Sequence, residues 1–281
     1  MADSAAEFVE QLLPAALDAA RRVLHVARGD IAIDLKHDGS PATEADRQAE
    51  AILLKALETA YKDIPVVAEE SVADGHVPAE IGDKFALVDP LDGTKEFIAG
   101  RPDYTVNVAL IKNSVPIAGI VIAPARKTAW SGSLGSAPSA KRMVLDADMN
   151  VSKSEPITVS VCAERPRLVI SRLHQTKTTQ DFVARVGACE TLIVGSSLKF
   201  CLLAEGACDV YPRFGPTNQW DTAAGDAVLR AAGGMTWAAT GGALSYGRTE
   251  RADAPFANPD FIAAAQDTDL SAFGVLTTHA T

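Results

Sequence analysis

Phe85-Ala86-Leu87-Val88-Asp89-Pro90-Leu91-Asp92-Gly93-Thr94 is a short apolar run that stops in two carboxylates and a glycine. Consecutive apolar residues bounded by a Pro/Gly turn predict a strand with a turn at its end. Asp-x-x-Asp around Pro90-Leu91 can fold both carboxylates back toward one point. Hard oxygen donors converging on one point are what Mg²⁺ requires. Gly93 lets the backbone approach an anion closely. A helix or tight turn starting here would aim the amides of Gly93 and Thr94 at the same spot. Carboxylates for a metal beside free amides for a phosphate suit phosphoryl transfer.

Upstream, Pro65-Val66-Val67-Ala68 reads as a strand that stops at Glu69-Glu70. An acid ending a strand is equally well explained as a solvated cap. Downstream, Asp221 in Trp220-Asp221-Thr222-Ala223-Ala224-Gly225 opens a helix, so it reads either as a first-turn acid or as a metal ligand. Asp46 follows Thr43-Glu44-Ala45, and by itself is best read as an acid satisfying amides in a helix first turn.

Further out, residues 4–27 predict an amphipathic helix with a Ser4/Glu7 capping box and Pro14 inside it. Asp38-Gly39-Ser40-Pro41 is a turn, and 43–60 a second helix. Segments 104–111, 117–123 and 127–132 read as consecutive strands. Residues 131–160 are rich in Ser, Gly, Ala and Pro without a sustained period. A boundary is therefore placed there, dividing an N-terminal α+β domain (1–150) from a C-terminal α/β domain (151–281). The second half alternates strands at 167–171, 191–194, 209–211 and 235–238 with helices at 175–187, 197–205 and 222–232. Such alternation predicts an α/β layer.

The 281 residues are 47% hydrophobic and 22% charged, with a formal net charge of −10. An acidic surface argues against broad nucleic-acid or anionic-membrane binding. Cys162, Cys189, Cys201 and Cys208 form no C-x-x-C pair, so they read as reduced thiols rather than a zinc site. No stretch approaches the ~20 apolar residues of a membrane span. The expectation is a cytoplasmic protein, with peripheral attachment to the inner face of the membrane left open.

Asp38–Asp46, Glu69-Glu70, Val88–Phe97 and Trp220–Gly225, in this order, resemble the signatures of the inositol-monophosphatase-like, lithium-sensitive, metal-dependent phosphatases. Within them the chain is similar to the CysQ-type 3'(2'),5'-bisphosphate nucleotidases. Lys95-Glu96-Phe97, Ser171-Arg172-Leu173-His174, Gly195–Cys201 and Tyr211–Thr217 carry that likeness. Arg213 stands near where the inositol enzymes usually place a Glu that binds ring hydroxyls, and is a donor suited to a second phosphate.

The resemblance implies a layered α/β/α/β/α sandwich of the inositol monophosphatase/fructose-1,6-bisphosphatase type. It implies two Mg²⁺ ions, or three: Glu69, Asp89 and the Leu91 carbonyl for one, Asp89, Asp92 and Asp221 for another. It makes Thr94 and Asp46 a pair that orients the attacking water, with Glu70 a further candidate for that task. Gly93, Thr94, Lys95, Arg172, Lys199, Arg213 and Asp221 are the candidates for binding substrate, and His174 a weaker one. The implied reaction converts 3'-phosphoadenosine 5'-phosphate to AMP and phosphate, with phosphoadenosine phosphosulfate as another substrate. The partner is a small molecule and the assembly a monomer or homodimer. The alternatives are an inositol monophosphatase or fructose-1,6-bisphosphatase, and a non-catalytic phosphonucleotide sensor.

Overall fold

The computed structural model describes residues 5–29, 31–36, 39–173, 175–265 and 268. Ser4 of the expected capping box, Asp38 of the turn and His174 lie outside them.

The chain begins with α1 (Ala5–Val26), then a hairpin of β1 (Ile33–Leu35) and β2 (Pro41–Thr43), then α2 (Glu44–Ala60). Thr43 caps α2: its hydroxyl accepts the Ala45 amide at 3.2 Å, and Asp46 accepts the Thr43 amide at 2.7 Å. β3 (Val66–Ala68) runs into a short helix, α3 (Glu69–Ala73). After β4 (Lys84–Asp92) and the short α4 (Thr94–Ile98) come β5 (Thr105–Lys112), β6 (Val115–Ala123), β7 (Thr128–Ser133), β8 (Ser139–Leu145) and β9 (Val151–Pro156). Strands β3 to β9 form one sheet in chain order, with β3 parallel to β4 and every later pair antiparallel.

β8 and β9 occupy most of the stretch 131–160 in which a boundary was expected. The change to the second sheet falls between Pro156 and Arg167, downstream of the boundary placed at 150. Beyond it lie β10 (Arg167–Ser171), α5 (Lys177–Val186), β11 (Glu190–Val194), α6 (Leu198–Ala204), β12 (Val210–Arg213), α7 (Ala223–Ala231), β13 (Gly234–Ala238) and β14 (Phe261–Ala265). The second sheet has the order β11-β10-β12-β14-β13. β14, absent from the sequence reading, pairs antiparallel with both β12 and β13.

The layers follow from which side each strand residue faces. On β4, Ala86 and Val88 pack toward α1 and α2, whereas Phe85 and Leu87 face the opposite core with α6 and α7. That second core continues into Tyr211, Phe261 and Ala263 of the five-stranded sheet. On its far side Leu168, Val210 and Ile262 meet Phe182 of α5. The arrangement is therefore α1–α2, seven-stranded sheet, α6–α7, five-stranded sheet, α5: the expected α/β/α/β/α sandwich.

α7 lies unusually close to its sheet. A Cβ at Gly119 would come 2.3 Å from the Ala224 carbonyl oxygen, and one at Gly132 would come 2.5 Å from Val228 Cα. Two glycines in β6 and β7 thus let the helix backbone rest on the strand backbone. The helix that begins just after Asp221 is seated by that contact.

Candidate active site

The Asp89–Thr94 turn acquires its shape from a bulge. Asp89 pairs with Asn107 and Asp92 with Thr105, so three steps along β4 match two along β5. Residues three apart on a regular strand point to opposite faces. The extra residue cancels that inversion and puts both carboxylates on one side. Pro90 sits in the bulge, where its missing N–H costs no ladder bond. Leu91 N–H donates to Asp89 Oδ1 at 3.0 Å and holds the turn. Gly93 follows with φ of 92°, and a Cβ there would come 2.9 Å from the Asp103 carbonyl oxygen. Only glycine fits that backbone conformation and that spacing.

A cleft of about 280 Å³ opens over this turn. Its lining includes Glu69, Asp89, Leu91, Asp92, Gly93, Thr94 and Lys95 from the first half of the chain. Lys199, Arg213 and Asp221 come from the second. Ten of the sequence-expected site residues therefore share one cavity. Asp46, Glu70 and Arg172 are not among its walls.

Asp46 stands behind Thr94. Its Oδ1 accepts the Thr94 hydroxyl at 3.2 Å, while Oδ2 accepts the Thr43 hydroxyl at 2.6 Å and the Thr43 amide. One Asp46 oxygen thus serves the helix cap and the other meets Thr94. Burial raises the Asp46 pKa against the Thr43 hydrogen bonds.

Glu70 lies in the first turn of α3. Its carboxylate meets Lys36 Nζ at 2.5 Å, and Lys36 also bonds Glu69 Oε1 at 2.7 Å. Burial pushes Glu70 up to about 7, with Lys36 acting the other way. Burial opposes the Lys36 charge, yet the two glutamates hold it above the ordinary lysine range. Glu50 of α2 accepts the Glu70 amide at 2.8 Å, the Ser71 amide at 2.8 Å and the Ser71 hydroxyl at 2.6 Å, and so fixes where α3 begins. Sequence reasoning missed Lys36 and Glu50. The available signal was Glu50 beside Ala49 and Leu53 on the buried face of α2, an acid where an apolar residue is expected.

The carboxylates at the cleft floor destabilise one another as anions. Asp89 is 1% exposed, and its pKa stands well above the usual range through burial and the nearby Glu69, Asp92 and Asp221. Burial likewise raises Asp221 strongly, with Asp92 and Glu69 adding to it. Burial pushes Asp92 up to about 6, moderated by Lys199. Among the described residues no three of these acids are gathered at ligating distance around one point. Glu69 is shared between Asp89 and Lys36. Asp89 Oδ2, buried, has no hydrogen-bond partner among the described residues. An unpartnered buried carboxylate oxygen among three further acids and the Leu91 carbonyl fits a hard divalent cation such as Mg²⁺.

The opposite wall is cationic. Lys199 is 3% exposed; burial brings its pKa down to about 8, with Asp92 opposing. Its Nζ donates to the Ser196 carbonyl and lies 5.2 Å from the Tyr211 ring centre. Arg213 is 5% exposed, donates Nη2 to the Pro216 carbonyl at 2.6 Å, and has no partner for Nε among the described residues. Asp221 is held by the Asn218 amide at 2.9 Å. Arg172, by contrast, is not part of the lining and is engaged with Glu96, which is, and with Asp103, which is not. Lys95 reaches the cleft from the exposed side of α4. No described helix is long and apolar enough to cross a membrane.

The model of the inositol monophosphatase family matches residues 4–270. The 3'(2'),5'-bisphosphate nucleotidase CysQ of Escherichia coli O6:H1 is 39% identical over 255 residues, spanning 90% of this chain and 98% of that one. The CysQ nucleotidase of Buchnera aphidicola is 38% identical over 235 residues, 84% of each chain. Among solved structures, CysQ from Bacteroides thetaiotaomicron superposes with a TM-score of 0.75 at 34% identity, covering 93% of this chain and 98% of that one. The Thermotoga maritima IMPase superposes at 0.72 over 95% of this chain and 96% of that one; at 22% identity it speaks for the fold alone. With the bulged carboxylate turn, the five-layer sandwich and these relatives together, the chain belongs to the inositol monophosphatase family, whose members are metal-dependent.

Proposed function

We propose that the protein is a 3'(2'),5'-bisphosphate nucleotidase. It removes the 3'-phosphate of 3'-phosphoadenosine 5'-phosphate, giving AMP and inorganic phosphate, and acts on phosphoadenosine phosphosulfate as well. The observation that carries this reading is the pair of buried cations, Lys199 and Arg213, facing the carboxylate floor. One phosphoryl group at a metal site needs no second cationic wall; a substrate with two does. The names of the relatives at 38–39% identity support the same substrate class.

Glu69, Asp89, the Leu91 carbonyl, Asp92 and Asp221 would hold Mg²⁺, two ions by the resemblance. When bound, Mg²⁺ supplies hard positive charge that acidifies water and offsets charge on the leaving oxygen. Thr94 donates its proton toward Asp46, which leaves its lone pairs to accept a hydrogen bond from the attacking water. Asp46, with its raised pKa, is poised to take up the proton passed through Thr94. The Gly93 and Thr94 amides hold the phosphoryl oxygens, and Lys199 and Arg213 hold the remaining phosphate. Glu70 is engaged by Lys36, which it shares with Glu69. The displacement is direct, without a covalent phosphoenzyme.

Phosphate release from a panel of adenosine bisphosphate, phosphoadenosine phosphosulfate, inositol monophosphate and fructose bisphosphate, with and without Mg²⁺ and Li⁺, tests this. The expected result is Mg²⁺-dependent, Li⁺-inhibited turnover with adenosine bisphosphate preferred. Preference for inositol phosphate would overturn the substrate assignment, and tight nucleotide binding without turnover would favour a sensor.

A further inference from the structure

Two buried carboxylates stand outside the catalytic set, Glu96 in the cleft's wall and Asp103 behind it. Glu96 on α4 and Asp103 before β5 are each 1% exposed. A buried carboxylate is unfavourable unless a cation meets it, and one side chain meets both. Arg172, just beyond β10, sends Nη1 to Glu96 Oε1 at 3.0 Å and Nη2 to Asp103 Oδ2 at 2.7 Å. Its Nη2 also donates to the Ile193 carbonyl at 3.2 Å, near the end of β11. Arg101 takes the other oxygen of Glu96 at 3.0 Å, and Arg126 Nε takes Asp103 Oδ1 at 3.1 Å. A rigid planar fork can join two acids and a carbonyl in this way; an ammonium cannot do so with fixed geometry.

The cluster joins the two sheets. Glu96 and Asp103 belong to the segment between β4 and β5, whereas Arg172 directly follows β10 and Ile193 lies in β11, its parallel neighbour in the second sheet. Gly195 packs into the junction: its N–H points at Asp103 Oδ2 at 3.4 Å, and a Cβ there would lie 3.0 Å from Asp103 Cβ and from Glu96 Cγ. From Gly195 the chain runs directly to Lys199. Midway, Ser197 donates its amide to Asp92 Oδ2 at 2.5 Å, and its hydroxyl donates to Asn107 Oδ1 at 2.7 Å. The segment carrying Lys199 is thus pinned to the Arg172 cluster at one end and to the Asp92 turn in its middle.

We propose that Arg172 is a positioning residue: through Glu96 and Asp103 it fixes segment 195–199 against the Asp92 turn and so sets how tightly a phosphorylated substrate is held. This rests on the reading of Lys199 as a phosphate-binding residue. Arg172 does not itself touch the substrate.

Arg172→Met and Arg172→Lys, compared with the unaltered full chain, test it with two readouts. Hydrogen exchange of the 195–199 amides requires no substrate. It is expected to speed up at least ten-fold in R172M and less in R172K, while β5 and β6 stay protected. In steady-state kinetics on adenosine bisphosphate, KM is expected to rise about ten-fold in R172M with kcat lowered less than three-fold, and R172K to recover part of the KM. If R172M does not fold, R172K decides alone. Raised KM with unchanged exchange at 195–199 would mean that Arg172 contacts substrate directly, and would overturn the proposal. Faster exchange with unchanged KM would overturn it too. Faster exchange in a protein whose unaltered form turns over no bisphosphate nucleotide would uphold the clamp and sink the functional reading instead.

Discussion

At the residue scale the site economises on side chains, and Asp46 shows how. One of its oxygens caps α2 through Thr43 and the other receives the Thr94 hydroxyl. Asp46→Asn is therefore expected to lower stability by about 1 kcal/mol and, separately, to lower kcat by about 10²-fold or more. Thr94→Ala should lower kcat similarly while leaving the melting temperature nearly unchanged, and Thr94→Ser should restore much of it. Equal losses of stability in the Asp46 and Thr94 variants would contradict the division of labour. Lys199 makes a pH prediction. Its pKa, brought down to about 8, means that it loses its charge above that pH. With that charge proposed to bind an anionic substrate, kcat/KM should fall as pH rises through about 8, with the fall carried by KM. For folding the sign reverses: between about 8 and the ordinary lysine value of 10.5 the unfolded chain binds the proton more tightly. Deprotonation there favours the native state. Asp89, Asp92 and Thr94 were legible in the sequence because they lie within six consecutive residues. Lys36, Glu50 and Asp103 were not, since what defines each is a partner remote in the chain. The orientation of Glu70 was not legible either, since it depends on Glu50 holding the first turn of α3 from 20 residues upstream.

At the scale of elements, α7 matters most, because it places Asp221. Its seat depends on the absence of side chains at Gly119 and Gly132. Gly119→Ala is expected to destabilise the fold by about 1–3 kcal/mol through overpacking. It should also weaken Mg²⁺ binding, by shifting the helix that follows Asp221. Calorimetry with and without Mg²⁺ separates the two effects, and unchanged Mg²⁺ affinity would show that the helix yields without moving Asp221. The five longer helices (α1, α2, α5, α6 and α7) and most strands were legible from their apolar periods and runs. β8 was not: it buries Ala140 on one face and Met143 and Leu145 on the other, with Lys141 and Arg142 between. β9 is an exposed edge strand of sequence Val-Ser-Lys-Ser-Glu-Pro, held by its pairing with β8 rather than by apolar burial. β14 is apolar enough, yet its small size and high alanine content carry no period that separates strand from helix.

At the scale of the whole molecule, the buried acids tie metal, proton and stability together. A carboxylate whose pKa is raised in the native state binds protons there more tightly than in the unfolded chain. Metal-free stability should therefore fall as pH rises from about 4 through the raised values, Asp92 at about 6 among them. Mg²⁺ needs those protons gone, so its thermal stabilisation should be larger at pH 8 than at pH 5. A Mg²⁺-induced shift in melting temperature equal at both pH values would rule out the acids as ligands. The origin of Asp221 has one more consequence. Glu69, Asp89 and Asp92 come from neighbouring segments of the first half of the chain, but Asp221 comes from the second and stands among them only once the helix after it has docked on β6 and β7. Closing so long a loop is slow. The expectation is that the full set of donors is assembled late, past the highest barrier on the way to the native state. Mg²⁺ should then leave the refolding rate unchanged and slow unfolding, lengthening the life of the folded protein without hastening its birth.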